Sequence, residues 1–140
     1  MTGGIDRELL AERAAVVVEH LDRVAAHLPE NPDDLRPRSS TTDTVVLHLW
    51  QGVQVTIDLA MTVCVRLGLG SPTTYAEAFR LLAAHGLLDR DLAERLARAA
   101  GFRNLVVHAY GRLDLRRVHR IASSGPDDLR AFLSALAEHA

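Results

Sequence analysis

Four side chains able to do chemistry fall within eight consecutive residues, in the run Arg103-Asn104-Leu105-Val106-Val107-His108-Ala109-Tyr110. They supply a fixed cation, an amide, a titratable imidazole and a phenol. An RNA substrate would use such a set directly. Its 2′-hydroxyl attacks the neighbouring phosphorus once its proton is accepted, and an imidazole, which titrates near physiological pH, is suited to accept or donate that proton. Charge then builds on the phosphate oxygens, where a guanidinium serves as a forked donor. His108 is the candidate acid–base group, Arg103 the candidate phosphate cation, and Asn104 a candidate for orienting the phosphate or the imidazole. One histidine cannot easily be both base and acid, whereas a symmetric dimer would bring a second His108 and Arg103 into the same cleft.

Spacing alone leaves a structural reading open beside the chemical one. Arg103 and His108 can cap or brace a bundle, and Tyr110 can pack at a helix end with its hydroxyl making one hydrogen bond. On a helix, Asn104 and His108 share a face, Arg103 reaches that face from one side, and Tyr110 stands on the other side of His108. The four could thus surround one pocket.

The rest of the chain reads as helical scaffolding. Apolar positions at Ile5, Leu9, Val16, Leu21, Val24 and Leu28 have helical spacing and end at Pro29. Residues 29–38 hold three prolines and read as a long connection. Ser39, Ser40, Thr41 and Thr42 are candidate N-caps, and Ser40 with Asp43 approximates a capping box, for a second helix running to about Leu69. Its buried stripe would include Val46, Leu49, Trp50, Val53, Ile57 and Cys64, with His48 and Asp58 as unusual polar members. Asp58 either faces the cleft or is solvated or paired with an arginine. Thr74 and Glu77 form a second capping box before a short helix over residues 75–85, with Gly86 as its stop. Residues 89–111 read as one long element, bent or tightly packed at Gly101, that carries the signature. Asp114 caps a fifth helix, which Ser123-Ser124-Gly125-Pro126 is expected to break near Ile121 before a last amphipathic segment.

At 140 residues the chain is expected to form a single domain over 1–140. Hydrophobic residues make up 48% and aromatics only 4%, a composition suited to an all-α bundle. No stretch is apolar for long enough to span a membrane, and the N-terminus lacks the blocks of a signal peptide, so a cytoplasmic location and no membrane partner are expected. A single cysteine, Cys64, excludes an internal disulfide. The net charge of −2 means that any RNA contact must come from a local patch. Every basic residue is arginine, and Arg112, Arg116 and Arg117 are the candidates for that patch beside Arg103. No set of His, Cys, Asp and Glu has metal-ligand spacing, and the scheme above calls for neither metal nor other cofactor.

The run RNLVVHAY, its Gly101-Phe102 lead-in and the upstream patterns PTTYAEAF (72–79) and LLAAHGLL (81–88) resemble the HepT-like proteins of the HEPN superfamily, over about residues 43–122. The resemblance implies an HEPN-like up-and-down bundle of four main helices plus short C-terminal helices. It also implies a toxin of a type VII-like toxin–antitoxin pair: a metal-independent endoribonuclease with Arg103 and His108 catalytic and Asn104 at the polar position beside the arginine. It implies a homodimer with the active cleft at the dimer interface. The implied partner is an MntA-like minimal nucleotidyltransferase antitoxin, which neutralises the toxin by transferring AMP to Tyr110, placing bulk and negative charge beside Arg103. The alternative is a non-catalytic helical module that binds a nucleotidyltransferase partner or a nucleotide.

Overall fold

The structure, a computed structural model, describes residues 4–140 and contains five α-helices with no strand among those residues. They are α1 (Arg7–His27), α2 (Ser40–Arg66), α3 (Tyr75–Ala84), α4 (Arg90–Ala109) and α5 (Leu115–Ala137), with single 3-10 turns at Pro32–Asp34 and Tyr110–Arg112. The all-α, up-and-down bundle expected from the sequence is what forms. Cross-helix pairs fix the directions. Asp6 meets Arg66 while His20 meets His48, so α1 and α2 run antiparallel. Ile5 bonds to His139 while Asp22 meets Arg130, so α5 runs antiparallel to α1.

Side-chain caps start the helices. Asp6, Ser39, Thr74, Asp89 and Asp114 each accept a backbone N–H from the first turn of the helix they precede. For α2 the cap is Ser39, the first of the Ser39–Thr42 run of candidate caps; it accepts from Thr42, and the Ser40–Asp43 box does not form. Asp43 is thereby left free for a different contact. Gly86 takes φ +78 just past α3, the left-handed conformation expected of a helix stop. Gly52 lies where α1 comes close: a Cβ there would sit 3.6 Å from Leu21 and 3.7 Å from His20. Gly101 has no such role, since a Cβ would meet nothing within 4 Å and α4 continues through it.

Two corrections to the sequence reading concern register and breaks. In α1 the core positions are Leu10 and Val17, one residue beyond the expected Leu9 and Val16, and Val16 is exposed. The C-terminal third is one 23-residue helix, not short pieces, and it passes straight through Gly125-Pro126. The reason is phase. Val118, Ala122, Leu129, Phe132, Leu133 and Leu136 keep one buried face across the proline. Burying that face at about 1.5–3 kcal/mol per large side chain outweighs a proline cost of about 3 kcal/mol.

Two adjoining apolar clusters hold the bundle. The larger joins all five helices around Leu21, Ile57, Phe79, Leu96 and Phe132. The smaller lies at the other end and comprises Val24, Val45, Val46, Leu49, Phe102, Val106, Val118 and Ala122. It fixes the rotation of α4: Phe102 and Val106, four residues apart, are 1% and 5% exposed and face inward. The intervening signature residues are therefore turned toward α2 or toward solvent.

Candidate active site on the fourth helix

Arg103 lies on α4 and Tyr110 stands seven residues on, at the start of the 3-10 turn that follows it, and both reach α2. The Arg103 Nε donates to the Gln54 Oε1 at 2.7 Å. The Gln54 Nε2 donates in turn to an Asp58 carboxylate oxygen at 3.0 Å. The amide is used at both ends, which fixes which way it faces. A second guanidinium nitrogen of Arg103 donates to the Asn104 Oδ1 at 3.2 Å, and the Arg103 head lies 5.1 Å above the Tyr75 ring. Two neutral amides and an aromatic face thus hold Arg103. It forms no ion pair among the described residues, whereas Arg66, Arg80, Arg95, Arg116 and Arg130 do.

His108 and Asn104 lie on the exposed side of α4, one turn apart. Asn104 orients the guanidinium and not the imidazole, and its amide nitrogen remains free to donate. Asp58 is exposed and meets no arginine. It is solvated, as one of the two expected readings had it, and it also accepts from Gln54 of the Arg103 network.

Tyr110 is placed differently from the single pocket expected. Its hydroxyl donates to an Asp43 carboxylate oxygen at 2.5 Å, at the start of α2. Asp43 and Gln54 are eleven residues apart, about 16 Å along the axis of α2 at 1.5 Å per residue. The phenol and the guanidinium are therefore anchored to opposite ends of one seam. Burial, and then the Asp43 carboxylate, pushes the Tyr110 phenol up to about 12, so at neutral pH it is a protonated donor. A cavity of about 410 Å³ opens beside it, with Arg38, Thr42, Val46 and Leu113 among its walls.

Of the basic patch, Arg112 and Arg117 line a shallow apolar recess with Phe102 and Leu105, and both are exposed. Arg116 is paired with Asp33, so part of its charge is already answered. Among the described residues no group of three or more His, Cys, Asp or Glu side chains could hold a metal ion. Among the described residues no helix is long and apolar enough to cross a membrane.

Sequence reasoning missed Gln54, Tyr75 and Asp43 as members of the site. Only Tyr75 left a trace, inside the PTTYAEAF pattern. Gln54 gave no signal, and Asp43 read only as part of a capping box, until α4 is laid against α2.

The helical bundle thus presents, from its fourth helix, an arginine without an ion pair among the described residues and an exposed histidine, a cation and an acid–base group on one surface. The family described as Ribonuclease HepT-like matches residues 17–136, and the chain belongs to that family. It is 30% identical to the mRNA nuclease HepT of Shewanella oneidensis over 94 residues, 67% of this chain and 71% of that protein. Its fold is similar to that of the Shewanella oneidensis HEPN toxin, solved tri-AMPylated in complex with an MNT antitoxin: TM-score 0.85, 22% identity, covering 95% of this chain and 99% of that one. A toxin–antitoxin structure with AMP-PNP gives a TM-score of 0.86 at 22% identity, covering 94% and 99%.

Proposed function

We propose that this chain is the toxin of a toxin–antitoxin pair, a metal-independent endoribonuclease that cleaves RNA in the cytoplasm with Arg103 and His108. The observation that carries this is the mounting of Arg103. A guanidinium held by neutral amides keeps its whole charge for a phosphate, whereas one held by a carboxylate does not. His108 accepts the 2′-hydroxyl proton, Arg103 meets the charge that develops on the phosphate oxygens, and the free amide nitrogen of Asn104 is a second donor to them. Arg112 and Arg117 supply sequence-independent contacts to the RNA backbone, with Arg116 a lesser contributor because of Asp33.

The functional unit is a homodimer with the cleft at its interface. Leu47, Gln54, Asp58 and Val65 recur along one stripe of α2, and Leu47 and Val65 are 42% and 61% exposed, as is Val107 of α4 at 45%. These apolar side chains flank the Arg103 network, so pairing two copies there would cover them and set two His108 imidazoles in one cleft. The partner is an MntA-like nucleotidyltransferase antitoxin, as in the complexes of the similar HEPN toxin, and Tyr110 is the acceptor of AMP.

Purified chain incubated with total RNA in EDTA tests the enzymatic reading. Cutting by the parent and none by Arg103→Ala or His108→Ala is expected. Cutting that persists in both variants would remove these residues from the centre. No cutting by a parent shown by mass spectrometry to be unmodified would leave a binding module.

A further inference from the structure

Tyr110 does not stand alone. Its hydroxyl is held by Asp43, its ring is 48% exposed, and the adjoining cavity of about 410 Å³ contains one cation, Arg38. Arg38 lines the cavity, has a left-handed backbone with φ +57, and makes no ion pair among the described residues. Arg38, Asp43 and Tyr110 are the titratable side chains on the cavity wall; the rest of it, including Val46, Leu113 and Leu115, is largely apolar. A phenol, a carboxylate on its oxygen, a free cation and an apolar wall are the parts an acceptor site for a nucleotidyl group needs.

We propose that Asp43 is the general base for nucleotidyl transfer onto Tyr110, and that the cavity receives the transferred nucleotide with Arg38 on its phosphate. This rests on the reading of Tyr110 as the acceptor. The co-reactant is a nucleoside triphosphate held by the partner nucleotidyltransferase. The Tyr110 Oη bonds to the α-phosphorus, the bond from that phosphorus to the bridging oxygen breaks, and pyrophosphate leaves. The phenolic proton passes to the Asp43 carboxylate as the new bond forms, since a free phenolate is not available at neutral pH. The proton it takes leaves Asp43 uncharged beside the new phosphodiester, and Arg38 answers the negative charge that stays. The ester has no hydrogen left to donate, so the Tyr110–Asp43 bond cannot re-form. The modified side chain is then released from Asp43, and its nucleotide lies in the cavity with its phosphate on Arg38.

The test is transfer of labelled AMP from ATP by the partner nucleotidyltransferase onto the full chain, comparing wild type, Tyr110→Phe, Asp43→Asn, Asp43→Glu and Arg38→Ala across pH. We expect Asp43→Asn to slow transfer about 100-fold at neutral pH, the scale of a general base. We also expect its remaining rate to climb with pH as phenolate forms, while wild type stays flat, and Asp43→Glu to recover part of the loss. A purely structural Asp43 would not change the shape of the pH profile. Arg38→Ala is expected to slow transfer about tenfold. Label on Tyr110 at unchanged rate and pH profile in Asp43→Asn overturns the proposal alone. No label on wild type, or label persisting on Tyr110→Phe, overturns the acceptor reading itself.

Discussion

The Arg103 Nε and the Gln54 Oε1, 49 residues apart in sequence, are 2.7 Å apart across the seam between α2 and α4. The contact fixes a cation without neutralising it. Gln54→Leu should release the guanidinium, leaving Asn104 and the Tyr75 face as its only guides. A hydrogen bond to a charged group is worth about 1.5–3 kcal/mol, so RNA cleavage should fall by about tenfold or more. Because Gln54 is only half-buried, thermal stability should change little, and a paired melting curve separates lost positioning from lost folding.

The exposed Leu47 and Val107 flank the same network. If two copies pair on this face as proposed, the parent should run as a dimer in size-exclusion chromatography with light scattering, and Leu47→Glu with Val107→Glu should run as a monomer with reduced cleavage. A variant chain that stays dimeric would move the interface to another face.

His20 and His48 place their Nδ1 atoms 3.0 Å apart, between α1 and α2. One ring must donate and the other accept, so the pair holds with at least one imidazole neutral. Burial first, then the charges of His20, Arg23 and His27, hold the His48 imidazole below its usual range. The unfolded chain therefore takes this proton at a higher pH than the folded one does. Stability contributed here is intact above about pH 6.5, the ordinary imidazole value, and is lost as pH falls through the folded value. Urea unfolding at pH 7.5 and pH 5 should show the drop, and His48→Gln should reduce it.

Pro126 sits inside α5 without an N–H to give to the preceding turn. Pro126→Ala should raise the melting temperature, by up to about 3 kcal/mol of stability, the propensity difference between the two residues. A fall instead would show that the ring's place on the wall of the cavity shared with Leu21 and His119 matters more than the backbone bond.

The all-helical class, the caps at Thr74, Asp89 and Asp114, the stop at Gly86 and the signature run were legible in the chain, because each is a local property. A cap needs only its own first turn, and a helix face needs only spacing near 3.6 residues. The break expected at Gly125-Pro126 failed for the complementary reason. Local propensity argued for a stop, and burial of Phe132 and Leu129 against other helices overrode it.

The sequence by itself placed Arg103, Asn104, His108 and Tyr110 on one helix and supplied their chemical types. It could not say what each side chain touches, because the partners lie on α2 and α3, up to 67 residues away. Only the packing of Phe102 and Val106 into the smaller core sets the rotation of α4 that turns Arg103 onto Gln54 and Tyr75, and Tyr110 onto Asp43. One helix therefore serves two sites about 16 Å apart along its neighbour. That separation is a product of helix against helix, which no spacing within a single segment encodes.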